Sequence, residues 1–268
     1  MPADAAPRDS RDSREFYDDL ADDYHLIYPD WDASVERQGA ALDGVIRGCL
    51  GERSGALDIL DCSCGIGTQA LGLASRGHRV VGSDLSPASA RRAAAEASKR
   101  GIAVPTTAAD MRRLPFRDER FDVVLTADNS VAHLLTDDDL HTALDGMRKA
   151  LRTGGLLVIT LRAYEDARAS HQAVTVPQVT RTSAGRVVTF QLWHWHPDGE
   201  RYEFEHIQLL PDGDSWRVRT RRATSRALTC AELSAAVARR GFTQVRLLEP
   251  AESGFFQPVL TARAAARD

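Results

Sequence analysis

The 268-residue sequence has little lysine and little cysteine. Lys99 and Lys149 are its only lysines among 34 basic residues, which argues against a Schiff-base lysine as catalyst. Four cysteines are too few for a disulfide scaffold. No apolar run is long enough to span a bilayer, and no basic start followed by an apolar stretch marks a signal peptide. We therefore expect a cytoplasmic protein with no membrane partner.

An excess of positive charge is also missing. The formal net charge is -4 and the sequence pI is about 6.1, whereas a phosphate-binding surface would need a basic face. The sequence therefore predicts no nucleic-acid partner and favours a small molecule. With 43% hydrophobic residues, one large domain or one domain with an insertion is expected, and the oligomeric state stays open.

Short β-branched runs alternate with helical segments up to Arg162. This alternation predicts a doubly wound α/β fold, in which parallel strands carry helices on both faces. Residues 179–226 then show strand-like alternation broken by SAGR, PDGE and PDGD, which predicts antiparallel hairpins. The helical stretch TCAELSAAVARRG and two further strands follow.

Four regions follow from this pattern. Residues 1–32 are predicted to be a flexible N-terminus, disordered or loosely attached over 1–15, with a possible aromatic lid. Residues 33–165 are predicted to form the α/β core, 166–226 a β-rich insertion, and 227–268 the C-terminal part of the core. The alternative for the N-terminal aromatic residues is packing against the sheet edge.

The segment DCSCGIGT joins a predicted strand to a helix. Gly65 and Gly67 let a ligand approach the backbone, although Ala70 replaces the third glycine of the dinucleotide-binding pattern. Cys62 and Cys64 are too close for an ordinary disulfide, and no further pair completes a metal site. We interpret them as small residues around a ligand-binding loop and predict no metal.

Two acidic residues follow at later strand ends. Asp84 lies about 20 residues beyond the loop, as expected for a carboxylate that binds two ribose hydroxyls. The alternative is that Asp84 caps the helix that begins at Pro87. Asp110 could accept a hydrogen bond from an adenine amino group, with Met111 and Leu114 against the ring.

The order of these motifs resembles that of class I S-adenosylmethionine-dependent methyltransferases, with FDVVLTADNSVAHL and LRTGGLLVI as further matching segments. Within that superfamily the chain is most similar to the glycine and sarcosine N-methyltransferases, through NSVAHL, GGLLVITLRAYEDA and the aromatic N-terminal segment. The resemblance implies a mostly parallel, seven-stranded Rossmann-like sheet and S-adenosylmethionine as cofactor. It also implies that residues 33–165 bind this cofactor and that the insertion 166–226 lies on the acceptor side.

The resemblance also implies roles for individual residues. The residues implied to bind the cofactor are Arg37, Asp61, Cys64, Gly65, Gly67, Asp84, Leu85, Asp110, Met111, Ala127 and Ser130. The residues implied to bind the acceptor are Tyr17, Tyr24, Tyr28, Trp31, Asn129, Arg162 and Tyr164. Asn129 and His133 are the candidate catalytic residues, and Asn129 and Arg162 would hold an acceptor carboxylate.

The chemistry leaves several functions open. The expected activity is methyl transfer to a small soluble acceptor, preferably an amine of an amino acid or secondary metabolite, because an amine can lose its proton before binding. An O-methyltransferase could use His133 as its base, although a His133 bonded to backbone or cofactor is favoured. The loop and Asp84 would also suit an NAD(P)-dependent oxidoreductase or a non-catalytic cofactor-binding protein.

Two metal hypotheses are weak. Asp128 beside Asn129 could join a Mg²⁺ site, but no second carboxylate converges on it. His194 and His196 would share one face of a strand, with Trp193 and Trp195 on the other. Two histidines do not make a zinc site, so a hairpin face or substrate lining is preferred.

Overall fold

The computed structural model describes residues 10–51 and 55–266, with side chains from Ser13 onward. Two sheets organise these residues. The first has seven strands in the order β10-β11-β5-β4-β1-β2-β3, all parallel except β11, which runs antiparallel to both of its neighbours. Its strands are β1 (Asp58–Asp61), β2 (Arg79–Asp84), β3 (Thr106–Ala108), β4 (Phe121–Thr126), β5 (Leu151–Thr160), β10 (Phe242–Leu248) and β11 (Val259–Ala264). The doubly wound α/β prediction is confirmed.

Helices cover both faces of this sheet and account for its continuous apolar strands. Leu60, Val124 and Leu157 belong to one buried cluster, while Ile59 and Val123 belong to another on the opposite face. The helices are α1 (Ser10–Leu20), α2 (Trp31–Leu50), α3 (Thr68–Ala74), α4 (Pro87–Lys99), α5 (Asp137–Ala150), α6 (Glu165–Ser170), α7 (Cys230–Arg239) and α8 (Pro250–Ser253). Because the parallel strands end at one edge, their following loops converge there, where α/β folds bind ligands.

The N-terminal segment departs from the prediction of a loose end. Residues 10–15 begin α1, which the sequence did not predict, and residues 1–9 lie outside the described residues. Phe16 and Leu20 on this helix are buried in the main core. Asp18 accepts hydrogen bonds from Ser86 Oγ at 2.6 Å and Ala88 N at 3.0 Å, which fixes α1 to the start of α4.

The second sheet carries the insertion. It is antiparallel throughout, in the order β6-β7-β8-β9, with β6 (Gln178–Thr182), β7 (Gly185–Trp195), β8 (Arg201–Asp212) and β9 (Ser215–Arg226). Alternate residues of β8 from Tyr202 to Leu210 are buried, and Phe204 on this face packs edge-on against Phe16 of α1 at 5.2 Å. The predicted hairpins are therefore present, and their inner face lies under the N-terminal helix.

No helix within the described ranges is long and apolar enough to cross a membrane.

Candidate active site

The loop after β1 is held by its own backbone and by Asp84. Cys64 N donates to Ser83 O at 2.9 Å, and Gly67 N donates to Cys64 O at 2.8 Å. Gly65 has a φ of 53°, a left-handed conformation that glycine adopts without strain, and its N–H donates to Asp84 Oδ2 at 2.8 Å. The loop and the carboxylate that ends β2 are thus one rigid unit.

Asp84 is placed as a ligand-binding carboxylate. Its Oδ1 accepts from Ser86 N at 2.8 Å, while the cap of α4 is Ser86, whose hydroxyl accepts from Ser89 N. The alternative that Asp84 caps this helix is therefore wrong. Burial raises the pKa of Asp84 to about 6, and each carboxylate oxygen retains a lone pair for a further donor.

Two cavities adjoin this loop. The larger one, here the loop cavity, has Asp84 in its wall. The residues that line it are Ser13, Tyr17, Tyr24, Cys62, Ser63, Gly65, Asp84, Leu85, Asp110, Met111, Arg112, Ser130, His133 and Leu134. The other, here the small cavity, is lined by Tyr24, Tyr28, Ser63, Cys64, Gly65, Ile66, Thr68, Gln69, Ala127, Asp128 and Ser130. Most of the predicted cofactor residues meet here.

Three predicted cofactor residues lie elsewhere. Arg37 is exposed, donates to Ser34 Oγ at 3.0 Å and lines a separate surface cavity. Gly67 lines neither the loop cavity nor the small cavity. A Cβ at this position would meet Leu71 at 3.1 Å, so Gly67 allows close packing at the start of α3. These two predictions are therefore corrected.

Asp61 is the third of these residues. It is fully buried behind the loop, where Oδ1 accepts from Ser63 N at 3.3 Å and Oδ2 has no partner within the described chain. Burial raises the pKa of Asp61 to about 7. Its contact with the loop backbone makes it a support for Ser63 and not a lining residue.

Asp110 is already held by a residue that the sequence did not single out. Arg112 donates to Asp110 Oδ2 at 2.6 Å and also to Asp139 Oδ1 at 2.6 Å. Burial opposes ionisation of Asp110, but the hydrogen bonds from Arg112 outweigh it and lower the pKa. Arg112 was missed because a loop arginine carries no spacing signal, although it follows Asp110 by two residues.

The donor set fits an adenosine-containing cofactor with a methionine part. Asp84 offers two carboxylate oxygens for ribose hydroxyls, and Met111 and Leu134 give the loop cavity an apolar surface beside Asp110. The small cavity continues past Gly65 to Thr68 and Gln69, at the start of α3, where backbone N–H groups suit a carboxylate.

A third cavity, here the chamber, lies between α1 and the second sheet. Its lining residues are Phe16, Tyr17, Leu20, Tyr24, Ile27, Arg162, Thr175, Val176, Gln178, Thr189, Phe190, Gln191, Phe204 and His206. Tyr17 and Tyr24 line both the chamber and the loop cavity. These two tyrosines are therefore the boundary across which groups in the two spaces can meet.

Tyr17 is fixed by His133. The Tyr17 hydroxyl lies 2.9 Å from His133 Nε2, and His133 Nδ1 lies 3.3 Å from Thr224 O and 3.2 Å from Ser13 Oγ. Because a carbonyl oxygen can only accept, we assign the ring proton to Nδ1, so Nε2 accepts from Tyr17. Burial lowers the pKa of His133 to about 4 and raises that of Tyr17, so both groups are neutral near pH 7.

Arg162 is the cation of the chamber. It follows β5, and its guanidinium carbon lies 4.9 Å from the centre of the Trp193 ring. Its backbone N–H donates to Asn129 Oδ1 at 3.1 Å, but its guanidinium makes no hydrogen bond or ion pair to any residue that the structure describes. The guanidinium can therefore receive an anionic or polar ligand group.

Asn129 and Tyr164 act behind Arg162, which corrects their predicted contact with the acceptor. Asn129 Nδ2 donates to Tyr164 Oη at 2.7 Å, and Tyr164 Oη lies 2.7 Å from Tyr202 Oη. Tyr164 is fully buried, and neither residue lines the chamber or the loop cavity. Their hydrogen bonds make them positioning residues, and the catalytic assignment of Asn129 is not supported by this geometry.

Two predicted aromatic acceptor ligands also lie outside the chamber. Tyr28 donates to Asp128 Oδ2 at 3.0 Å at the small cavity. Trp31 Nε1 donates to Thr68 Oγ1 at 2.9 Å, and Arg100 covers the Trp31 ring at 4.8 Å. Trp31 therefore joins α2 to α3 and α4, while Tyr17 and Tyr24 are the tyrosines that reach the chamber.

The thiols and His194 have structural explanations. All four cysteines are free, and burial raises the pKa of Cys64 well above its usual value. His194 is exposed beside Glu205 at 3.0 Å, with Trp193 and Trp195 on the opposite face of the strand. No group of three metal-binding side chains occurs in the part of the chain that the structure describes.

Known proteins share this domain and fold. A family model described as a methyltransferase domain matches residues 59–155, which include the loop, Asp84 and Asp110. A glycine/sarcosine N-methyltransferase from Parasynechococcus marenigrum is 33% identical over 154 residues, covering 57% of this chain and 52% of that protein. The chain thus spans about half the length of this relative.

Solved structures extend the likeness of the fold over most of the chain. One is CalS10 with bound S-adenosylmethionine, an amino pentose methyltransferase from Micromonospora echinaspora, with a TM-score of 0.71, 23% identity and coverage of 87% of this chain and 92% of that one. Another is the sugar N-methyltransferase KedS8 from Streptoalloteichus, with a TM-score of 0.67, 22% identity and coverage of 99% and 96%. The domain match over residues 59–155, the relatives and the seven-stranded sheet together support the predicted resemblance to the class I S-adenosylmethionine-dependent methyltransferases.

Proposed function

We propose that this protein transfers the methyl group of S-adenosylmethionine to the nitrogen of a small amine bound in the chamber. The observation that carries this proposal is the shared boundary of the loop cavity and the chamber at Tyr17 and Tyr24. A cofactor bound in the loop cavity and the small cavity would face an acceptor in the chamber across these two rings. When bound, the cofactor supplies a methyl group on a sulfonium, which is already activated for displacement.

The state of Tyr17 favours nitrogen over oxygen. Because its hydroxyl donates to His133 Nε2, the lone pairs of its oxygen remain for an acceptor N–H. A hydrogen bond of this kind fixes the direction of the amine lone pair, and orientation is the main task in an in-line displacement. An amine that has lost its proton before binding needs no further base.

The surroundings of His133 argue against a hydroxyl acceptor. Both ring nitrogens are occupied, by Tyr17 on one side and by Thr224 and Ser13 on the other. Burial keeps the pKa of His133 near 4, well below the value of an effective base at neutral pH. Deprotonation of a hydroxyl by His133 would require Tyr17 to move away.

Arg162 gives the acceptor its second anchor in this proposal. Arg162 lines the chamber and its guanidinium lies over the Trp193 ring, while Asn129 and Tyr164 hold the backbone behind it. A carboxylate or another oxygen-rich group of the acceptor would pair with it, as guanidinium groups bind such oxygens through two parallel hydrogen bonds. The N-methyltransferase relatives agree with an amine acceptor.

The test is methyl transfer from isotope-labelled S-adenosylmethionine to a panel of amines, amino acids, amino sugars and phenols. We expect amines with an oxygen-rich group to be methylated and phenols to stay unmodified. Asp214→Asn in the exposed turn between β8 and β9 is a matched control for acidic substitutions and should leave activity unchanged. Methylation of phenols alone would overturn the nitrogen assignment.

A further inference from the structure

We propose that His206, together with Gln191, binds a hydroxyl group of the acceptor at the end of the chamber away from the methyl donor. The proposal rests on the proposed function, since it names the class of amine that the chamber takes. The one-sided position of His206 is its starting point: His206 lines the chamber and does not line the loop cavity, unlike Tyr17 and Tyr24.

His206 is buried without a partner for one ring nitrogen. It belongs to the inward face of β8 and is only 5% exposed. Its Nε2 has no hydrogen-bond partner among residues 10–51 and 55–266, and its ring lies 6.2 Å from that of Phe16. A buried polar atom without a partner destabilises a fold unless a ligand or water completes it, so this nitrogen is a candidate binding group.

The neighbouring strands place a second polar group beside it. His206 pairs directly with Gln191 on β7 and Arg221 on β9. Gln191 accepts from Trp193 Nε1 through its side-chain oxygen at 2.9 Å, so its amide N–H groups are left without a described partner. Gln191 also lines the chamber, and side chains at paired positions lie within about 5.5 Å at Cβ.

These two groups suit a hydroxyl. Burial and the charge of Arg221 lower the pKa of His206 to about 4, so the imidazole is neutral and has one donor and one acceptor nitrogen. The Gln191 amide adds donors. A hydroxyl can both donate and accept, so it can satisfy both side chains, whereas a methyl group leaves them unpaired.

The lining of the chamber supports an acceptor larger than glycine. It includes Tyr17 and Tyr24 at the boundary with the loop cavity as well as Gln191 and His206 on the second sheet. An amine at the Tyr17 boundary and a hydroxyl at His206 therefore belong to one extended molecule. The inferred substrate class is a hydroxylated amine, whose hydroxyl His206 would bind equally well in the ground state and in the transition state.

His206 is a specificity-determining residue in this proposal and not a base. It is absent from the lining of the loop cavity, where the methyl group would lie. Its test therefore separates KM from kcat, because loss of remote binding raises KM, whereas loss of a base lowers kcat.

The experiment compares His206→Phe, His206→Gln and the control His194→Phe, which alters an exposed histidine on the neighbouring strand. The probes are D-glucosamine, its singly deoxygenated derivatives, and the pair serine and alanine. We expect His206→Phe to raise KM for the hydroxylated probe about tenfold to a hundredfold, with kcat and cofactor affinity within about twofold. For one deoxygenated derivative, KM with the wild-type protein should be raised by the same factor. His206→Phe should not raise KM for that derivative any further.

Two readouts separate this role from a structural one. His206→Gln keeps a polar nitrogen near the position of Nε2 and should restore part of the affinity. His206→Phe removes an unpartnered buried nitrogen, so its melting temperature should equal or exceed that of the wild type. A fall in melting temperature with unchanged KM would mean that His206 serves packing alone, which overturns the proposal.

Failure of the proposed function gives a different pattern. Binding of the probes is measured by calorimetry in the presence of S-adenosylhomocysteine, which requires no methyl transfer. Hydroxyl-selective binding that His206→Phe abolishes would support the inference even if no methyl group is transferred. Methyl transfer without hydroxyl selectivity would overturn the inference and leave the proposed function intact, and a panel that neither binds nor reacts would count against both.

Discussion

The cofactor side and the acceptor side of this site are built in different ways. On the cofactor side, Asp84 is held by the backbone N–H groups of Gly65 and Ser86, so its position depends on chain geometry. On the acceptor side, Arg162 and His206 line the chamber, and the Arg162 guanidinium and His206 Nε2 have no hydrogen-bond partner among the described residues. The first arrangement is fixed by the chain itself, and in the proposed function the second would be completed by its ligand.

This difference separates binding of a common cofactor from selection of a particular acceptor. A carboxylate fixed by main-chain donors tolerates many side-chain changes around it. A chamber walled by side chains of β7 and β8 changes its specificity with each substitution, because an unpaired buried group penalises the wrong ligand. The two sides should therefore respond differently to mutation.

The largest effect is expected on the cofactor side, at Asp84. In Asp84→Asn, an amide NH₂ would face the N–H of Gly65 or Ser86, and the charge that attracts the ribose hydroxyls would be lost. Cofactor affinity should fall about a hundredfold or more, measured by calorimetry, because hydrogen bonds to a charged group are the strong ones. Unchanged affinity in Asp84→Asn, with Asp214→Asn as control, would remove Asp84 from the site.

Substitutions at the boundary between the two sides should lower kcat. Tyr17→Phe removes the hydroxyl that links His133 to the chamber, and kcat should fall about tenfold to a hundredfold with cofactor affinity retained. His133→Asn should resemble it, and the double variant should be no worse than either single one, since the two residues act as a unit. Additive losses would contradict a shared role.

Substitution of Arg162 on the acceptor side should raise KM for the acceptor. Arg162→Met keeps an apolar stem over Trp193 but removes the guanidinium, so KM for an acceptor with an oxygen-rich group should rise about tenfold. Cofactor affinity should stay within about twofold. A change in cofactor affinity larger than the change in KM would mean that Arg162 binds the cofactor and not the acceptor.

Acid should weaken the cofactor side first. The pKa of Asp84 is raised to about 6, so this carboxyl becomes protonated as the pH falls through that value. Since the ribose hydroxyls bind the ionised form, the cofactor dissociation constant should increase up to about tenfold per pH unit below about pH 6 and be constant above about pH 7. Affinity that is independent of pH from 5 to 8 would contradict an ionised ligand at this position.

The smallest effect is expected where α1 is attached. Asp18→Ala removes the acceptor for Ser86 Oγ and Ala88 N and should lower the free energy of unfolding by about 1 kcal/mol. Hydrogen exchange in α1 should accelerate more than in β1, because α1 closes both the loop cavity and the chamber. Equal acceleration of hydrogen exchange throughout the chain would show that α1 does not open separately from the rest of the fold.

The same contrast explains what the sequence could predict. The parallel sheet, the glycine loop and Asp84 were predictable because strand periodicity and short spacings define them locally. Helix α1 was not, because Phe16 and Leu20 depend on a sheet far along the chain for their burial. Arg37 and Trp31 were misplaced for the same reason, since motif order does not tell which face of α2 meets the cavities.

The roles of polar side chains were the least predictable part. The sequence placed Asn129 beside the acceptor, whereas its hydrogen bonds to Tyr164 and Arg162 lie behind the chamber wall. His206 gave no motif at all. The alternation in YEFEHIQLL could have placed it on the inward face with Tyr202 and Phe204, but a missing hydrogen-bond partner is visible only in three dimensions.

The central claim is that the methyl group goes to nitrogen without a side-chain base. The most direct measurement uses an amino alcohol, which offers both nucleophiles in one molecule, and locates the transferred isotope-labelled methyl group by NMR spectroscopy. The account predicts an N-methyl product whose rate rises with the fraction of unprotonated amine. An O-methyl product that disappears in His133→Asn would contradict it.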